Sequence, residues 1–177
     1  MIVLMGVAGA GKSVQGRRVA DELALPWLST GEFLRMLVTG QRRREMLSGK
    51  LLDDSEMIGL ADRIFHMIDT SEEFILDGFP RTAPQAEWLI AQHKAGLINI
   101  TNVLHIKANE EVVIERLLDR GRHDDTKESI AERFREYGAV TLPIISSFED
   151  HGIPVHDING ELAPDDVFKQ IIPLLEK

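Results

Sequence analysis

The chain contains no cysteine, which excludes disulfide bonds, zinc–thiolate sites and thiol nucleophiles. None of its apolar runs approaches the roughly 20 residues that a membrane-spanning helix needs. Basic residues are in the minority, since 20 Lys and Arg stand against 29 Asp and Glu and give a formal net charge of −9. A negative chain is repelled by phosphate backbones and by anionic lipid, so we expect no binding to nucleic acid or to membranes. The first predicted strand begins at Ile2, which leaves no space for a signal peptide, and we expect a cytoplasmic protein.

The remaining composition is typical of one globular domain, with 177 residues of which 44% are hydrophobic. Short apolar runs alternate with longer amphipathic stretches. The predicted strands are residues 2–5, 27–28, 74–76, 103–106 and 155–158. The predicted helices are residues 14–23, 30–38, 55–68, 84–93, 110–118, 127–137, 140–148 and 165–175. This alternation predicts an α/β fold, a doubly wound parallel sheet flanked by helices, with a ligand at the carboxyl ends of the strands.

A glycine-rich motif follows the first predicted strand directly. Residues 6–13 read GVAGAGKS, which is the pattern GxxxxGKS between a strand and a helix. Glycines allow the backbone amides to approach phosphate oxygens, and the helix N-terminus favours the negative charge. Lys12 would then reach the phosphates and Ser13 would bind Mg²⁺. The alternative is an ordinary glycine-rich turn, which the flanking strand and helix disfavour.

An acidic residue follows the third predicted strand directly. Asp77 stands where a neighbouring strand would deliver a carboxylate to Mg²⁺ or to its waters. Arg81, four residues later, can bind two phosphate oxygens with its planar guanidinium. Taken alone, the pair is equally compatible with a turn and a surface charge.

Arginines accumulate in one stretch of this acidic chain, at Arg116, Arg120, Arg122, Arg133 and Arg135. Phosphoryl transfer needs such a set of fixed cations, because charge spreads over the oxygens of the transferring group. The alternative is pairing with the acidic residues that neighbour them in sequence.

Five segments, in this order, resemble the successive signatures of adenylate kinases: GVAGAGKSVQ, LSTGEFLR, GKLLDD, FILDGFPRTAPQAE and RLLDRGRHDDTKESIAERFREY. The resemblance covers nearly the whole chain. It implies a P-loop NTPase fold with a five-stranded parallel sheet in the order 2-3-1-4-5. It also implies a small helical region that binds the monophosphate, here residues 30–69, and a lid, here reduced to a very short turn at residues 120–126. The implied activity is the Mg²⁺-dependent, reversible reaction ATP + AMP = 2 ADP, which serves nucleotide homeostasis and uses no zinc, in a monomer.

The resemblance also implies the site residues. The implied ATP-binding residues are Gly9, Ala10, Gly11, Lys12, Ser13, Val14, Arg116, Arg120, Gly160 and Leu162. The implied AMP-binding residues are Thr30, Gly31, Arg35, Lys50, Leu51, Leu52, Gly78, Phe79, Pro80, Arg81, Gln85, Arg122 and Arg133. The implied catalytic residues are Lys12, Arg81, Arg116, Arg120, Arg122 and Arg133, and Ser13 and Asp77 would hold Mg²⁺ through water.

Three residues bear on the choice of acceptor. Pyrimidine monophosphate kinases of the same superfamily typically have Ala in place of Thr30 and Asn in place of Thr82 and Gln85, so this chain carries the adenylate versions. Two alternatives remain open. One is a broader nucleoside monophosphate kinase that accepts UMP or CMP, and the other is an adenylate-kinase-like ATPase or nucleotide switch.

The chain departs from the family pattern in its phosphate-binding loop. Ser13 and Val14 stand where the family usually has Gly and Thr, which removes the usual threonine hydroxyl and adds a hydroxyl one residue earlier. Because Ser13 occupies the hydroxyl position of the wider P-loop class, we expect Mg²⁺ binding to be retained.

Overall fold

Five parallel strands form one sheet through the centre of the molecule. A computed structural model describes residues 1–47, 52–122 and 125–175 of the chain. The strands are β1 (Ile2–Met5), β2 (Trp27–Ser29), β3 (Ile75–Asp77), β4 (Asn102–Lys107) and β5 (Val155–Asn159). They lie in the order β2-β3-β1-β4-β5, all parallel, which confirms the predicted sheet.

Helices follow and connect the strands. They are α1 (Lys12–Leu23), α2 (Thr30–Leu37), α3 (Gly40–Leu47), α4 (Asp54–Phe65), α5 (Ala83–Lys94), α6 (Glu110–Arg120), α7 (Lys127–Glu136), α8 (Ile145–Asp150) and α9 (Pro164–Leu175). Among the described residues, no helix is long and apolar enough to cross a membrane.

Both faces of the sheet are buried, as is usual for parallel sheets. Successive side chains of β1 point to opposite faces, so Val3 and Met5 join one hydrophobic cluster while Ile2 and Leu4 join the other. Helices α4 and α5 pack against the first cluster, and α1, α6 and α9 against the second. The short apolar runs of the sequence are therefore the centre of a two-sided core.

The helix that the sequence predicts over residues 140–148 is wrong in its first half. The structure has a π-helical turn at Tyr137–Thr141 and a 3₁₀ turn at Leu142–Ile144, and only then α8. Pro143 has no amide hydrogen and so cannot donate to the carbonyl four residues earlier. The regular hydrogen-bond ladder is therefore interrupted, and a wider turn and a tighter turn replace it.

The carboxyl ends of the strands meet at one edge of the sheet, where open parallel sheets bind ligands. The loop after β1 begins at Gly6, whose φ is +143°. A Cβ atom there would lie 2.3 Å from the carbonyl oxygen of Ile106, so only glycine lets this loop leave the sheet beside β4.

Candidate active site

One cavity of about 450 Å³ opens at this edge and collects most of the predicted site residues. The phosphate-binding loop, α2, the loop after β3, the α6–α7 region and the loop after β5 all contribute to its walls. The predicted residues that line it are Gly9, Ala10, Gly11, Lys12, Ser13, Val14, Thr30, Gly31, Arg35, Leu52, Asp77, Gly78, Arg81, Gln85, Arg116, Arg120, Arg122, Arg133, Gly160 and Leu162.

Two predicted AMP-binding residues that the structure describes do not line this cavity. Phe79 lies in the core with 1% of its surface exposed. Pro80, which follows a cis peptide bond, lines a second cavity of about 50 Å³ behind the phosphate-binding loop. Lys50 and Leu51 lie outside the described residues.

The cavity is strongly basic although the chain is acidic. Seven of its lining residues are cations: Lys12, Arg35, Arg81, Arg116, Arg120, Arg122 and Arg133. Asp77 is the one acidic residue among the described residues that line it. Because the whole chain carries a formal net charge of −9, this concentration of positive charge indicates a polyanionic ligand.

Helix α1 presents its N-terminus to the cavity. Its N-cap residue is Gly11, with a φ of +108° and no side chain that could accept from the amides of the first turn. No capping side chain therefore competes with an anion for the start of this helix and its dipole, as a phosphate-binding loop requires.

Lys12 bends back across the loop. Its Nζ donates to the carbonyl oxygens of Gly6, at 2.6 Å, and Val7, at 2.8 Å. Burial is the main cause that lowers the pKa of Lys12 from 10.5 to about 8; the nearby guanidinium groups of Arg81 and Arg120 act in the same direction, while Asp77 opposes them. A bound polyphosphate would raise this pKa again and so favour the charged form of the lysine.

The pKa of Lys12 makes a testable prediction for the protein without nucleotide. The folded protein releases this proton near pH 8 and the unfolded chain near pH 10.5. Below pH 8 the charge of Lys12 therefore lowers the free energy of unfolding, and this loss of stability disappears as the pH rises from about 8 to 10.5. After reductive ¹³C-methylation, NMR should show one dimethyl-lysine resonance that titrates near pH 8, moves to higher pH with ATP and disappears in Lys12→Arg. Titration of that resonance together with the other lysines would contradict the assignment.

Ser13 and Asp77 form a pair of oxygen donors in the cavity. The Ser13 hydroxyl donates to Oδ2 of the buried Asp77 at 2.7 Å, so the strand ends of β1 and β3 bring together the two residues that the sequence assigns to Mg²⁺. Hard oxygen ligands suit this ion, which usually takes one or two protein ligands and completes its shell with phosphates and water. Among the described residues, no group of three or more His, Asp or Glu side chains is placed to hold a metal ion.

The loop after β3 is held by several hydrogen bonds. The Thr30 hydroxyl donates to the carbonyl of Asp77 at 3.3 Å, and Nε of Arg81 donates to the carbonyl of Gly78 at 2.9 Å. From the π-helical turn, the Thr141 hydroxyl donates to the Arg81 carbonyl at 2.8 Å. Arg81 keeps part of its surface open to the cavity, although surrounding protein atoms withdraw its guanidinium from bulk water and thereby lower its pKa.

Asp125 gathers the arginines around the α6–α7 turn. Its buried carboxylate accepts two hydrogen bonds from Arg120, at 2.7 and 2.9 Å, and one from Arg133 at 3.1 Å. It also accepts from the main-chain amide of Arg122 at 3.2 Å. Burial opposes ionisation of Asp125, but these charged donors outweigh it and hold its pKa below the ordinary value.

Arg116 joins α6 to the loop after β5. Its guanidinium donates to the carbonyl oxygens of Gly160, at 2.7 Å, Glu161, at 3.2 Å, and Leu162, at 3.4 Å. A Cβ atom at Gly160 would lie 2.8 Å from the carbonyl of Ala10, so this loop approaches the phosphate-binding loop closely. The two segments therefore form one continuous wall of the cavity.

Three acidic residues in contact with the site were missed from the sequence. Asp125 binds two arginines, Asp54 binds Gln85, and Glu32 pairs with Arg35 at 2.7 Å. The sequence did offer one signal for them, because several arginines that bind the same ligand need acidic residues nearby to balance their charge. By contrast, Arg135 pairs with Glu132 on the same helix, as expected if this arginine binds a neighbouring acidic residue and not a ligand.

Comparison with known proteins gives consistent similarities. The family model described as "Adenylate kinase" matches residues 4–153. A protein of Kocuria rhizophila named "Adenylate kinase" is 34% identical over 189 residues, which cover 99% of this chain and 98% of the relative. Proteins of the same name from Mycolicibacterium vanbaalenii and Corynebacterium urealyticum are 33% identical over 180 residues and 31% identical over 182 residues. The match to the Mycolicibacterium vanbaalenii protein covers 98% of this chain and 98% of the relative. The match to the Corynebacterium urealyticum protein covers 99% of each.

Proposed function

Because the chain belongs to the adenylate kinase family, we propose that it transfers a phosphoryl group reversibly from ATP to AMP, with Mg²⁺, to give two molecules of ADP. The observation that carries the proposal is the cavity itself. Its walls include a phosphate-binding loop with Lys12 and, on other elements, a second set of cations that includes Arg35 and Arg81. A site for a single nucleotide does not need this second set.

In the proposed reaction, the amides at the start of α1 and Lys12 bind the phosphates of ATP. Arg35 and Arg81 bind the phosphate of AMP, and an oxygen of that phosphate attacks the terminal phosphorus of ATP. The bond to the bridging oxygen then breaks, and ADP is the leaving group. The protein contributes mainly positioning and neutralisation of charge, because this chemistry needs little covalent help.

The arginines near the α6–α7 turn take the charge of the transferring group in this proposal. Arg120, Arg122 and Arg133 line the cavity, and Asp125 holds the guanidinium groups of Arg120 and Arg133. Held in this way, the arginines lose little further entropy when substrate binds. When bound by Ser13 and Asp77, Mg²⁺ would supply additional neutralisation of the phosphate oxygens.

The proposal assigns roles to two segments of the chain. Residues 30–69, which contain α2, α3 and α4 between β2 and β3, form the proposed monophosphate-binding region. Residues 120–126 form the proposed lid, since α6 ends at Arg120 and α7 begins at Lys127. A monomeric state and a cytoplasmic location stay predictions from the sequence.

A product assay tests the proposal against both alternatives. Purified protein is incubated with Mg-ATP and with AMP, GMP, CMP, UMP or no acceptor, and ADP is followed by chromatography. We expect AMP to give two ADP for each ATP consumed, at a rate well above the ATP hydrolysis that occurs without an acceptor. Comparable turnover with UMP or CMP would indicate the broader kinase. Turnover that is independent of any acceptor would indicate an ATPase or a nucleotide switch.

Replacement of Arg81 by lysine is expected to lower turnover with AMP by about tenfold or more. Lysine keeps the charge but cannot bind two phosphate oxygens with one planar group, and it cannot reproduce the Nε bond to Gly78. Steady-state kinetics measure the effect, and Arg135→Lys, an exposed arginine on α7 that pairs with Glu132, is the matched control. Rates near those of the unmodified protein would show that Arg81 does not hold the acceptor.

A further inference from the structure

The side-chain amide of Gln85 is held at both of its polar atoms. Gln85 is 1% exposed and lines the cavity. Its Oε1 accepts from the main-chain amide of Arg81 at 2.8 Å, and its Nε2 donates to Oδ1 of Asp54 at 2.8 Å. The side chain is therefore hydrogen-bonded both to the loop after β3 and to the start of α4.

The chemistry of the two partners determines which way the amide faces. A main-chain N–H can only donate and a carboxylate can only accept. If the amide of Gln85 turned over, its NH₂ would face the N–H of Arg81 and its oxygen would face the carboxylate of Asp54. Both contacts would be repulsive, and a buried polar group without a partner costs free energy. The order of oxygen and nitrogen in this amide is therefore fixed.

Asp54 is itself held in place. Its Oδ1 also accepts from the Thr82 hydroxyl at 2.6 Å. It is the first residue of α4, and the preceding Asp53 caps that helix by accepting from the Ser55 amide at 2.9 Å. The carboxylate thus joins the start of α4 to the residue that precedes α5.

We infer that Asp54 is a positioning residue that makes the site select a 6-amino purine over a 6-oxo purine as the acceptor base. The inference rests on the proposed function, in which Gln85 reads the edge of AMP. After the contacts above, the amide of Gln85 retains one N–H and one oxygen lone pair. In adenine, the 6-amino group donates and N1 accepts, which complements that pair. In hypoxanthine, O6 accepts and N1–H donates, so both contacts are reversed.

The test compares AMP with IMP, two acceptors that differ in this edge alone. The unmodified protein is expected to prefer AMP strongly in kcat/KM. In Asp54→Asn the new side-chain amide can either accept from Gln85 or donate to it, so one of the two repulsions that oppose the reversed order is removed, while that with the Arg81 amide remains. We expect the AMP-to-IMP ratio of kcat/KM to fall by about tenfold, as the loss of one hydrogen bond to a charged group allows. The value for AMP should change less than that for IMP.

Glu56→Gln is the matched control, because it makes the same change on α4 at a residue that pairs with Arg42. Its AMP-to-IMP ratio should equal that of the unmodified protein. A merely structural role for Asp54 would lower kcat/KM equally for both acceptors and leave the ratio unchanged, which would overturn the inference.

A second variant and the unmodified protein keep the test decisive. Asp54→Ala should also lower the ratio, and thermal unfolding checks that each variant is folded. Independently of the variants, similar kcat/KM values of the unmodified protein for AMP and IMP would overturn the inference. Failure of the unmodified protein to form ADP from ATP and AMP would instead overturn the proposed function.

Discussion

Replacement of Lys12 by methionine is expected to lower kcat by about a hundredfold to a thousandfold, the range for removing one preorganised charge from a transition state. Lys12 is the flexible cation of the phosphate-binding loop, and its Nζ lies within 2.6–2.8 Å of two loop carbonyls from which it can move to phosphate. Methionine has a similar length but carries no charge. Coupled ADP-formation kinetics at saturating ATP and AMP measure the loss.

The same variant separates activity from stability. Because burial depresses the pKa of Lys12, its charge opposes folding at neutral pH, and we expect Lys12→Met to unfold at the same temperature or a higher one. Lys169→Met, on α9 and paired with Asp166, is the control that should leave kcat unchanged. A Lys12→Met enzyme with nearly full activity would remove the lysine from the mechanism, and a less stable one would contradict the electrostatic argument.

Replacement of Asp125 by asparagine is expected to lower the free energy of unfolding by about 3 kcal/mol at pH 7. The side chain of Asp125 is fully buried, while those of Arg120 and Arg133 are 34% and 14% exposed. Without the carboxylate, two largely enclosed guanidinium groups lose their shared partner. The partial exposure of Arg120 gives some relief through water, which places the loss at the lower end for a broken buried pair. Urea unfolding followed by circular dichroism measures it.

The pH dependence distinguishes this effect from general disruption. The pKa of Asp125 is depressed in the folded protein, so its contribution to the free energy of unfolding is present above the ordinary value of 3.8 and is lost as pH falls through the lower folded value. The difference between the two proteins should therefore shrink in acid. Asp119→Asn, at an exposed position on α6, should have little effect at any pH. A constant difference down to acid pH would show that the charge of Asp125 is not responsible.

The predictions from the sequence were strongest where residues close in the chain act together. The phosphate-binding loop, its strand and its helix are consecutive, and α1 begins at Lys12 as the motif requires. The prediction of a regular helix over residues 140–148 failed in its first half, because Pro143 cannot donate a helical hydrogen bond. The partners of Gln85 and Arg120 were not found, because Asp54 lies 31 residues from Gln85 and Asp125 lies across a turn from Arg120.

The sequence by itself determined that this chain is an α/β protein with a phosphate-binding loop, and its ordered motifs indicated its family and the order of its strands. These features depend on hydrophobic periodicity and on motifs of a few consecutive residues. Only the tertiary structure decided which side chains hold the cations and the base-reading amide in place. Those contacts depend on the distances between segments, such as the 2.8 Å from Gln85 to Asp54, and folding alone brings such segments together.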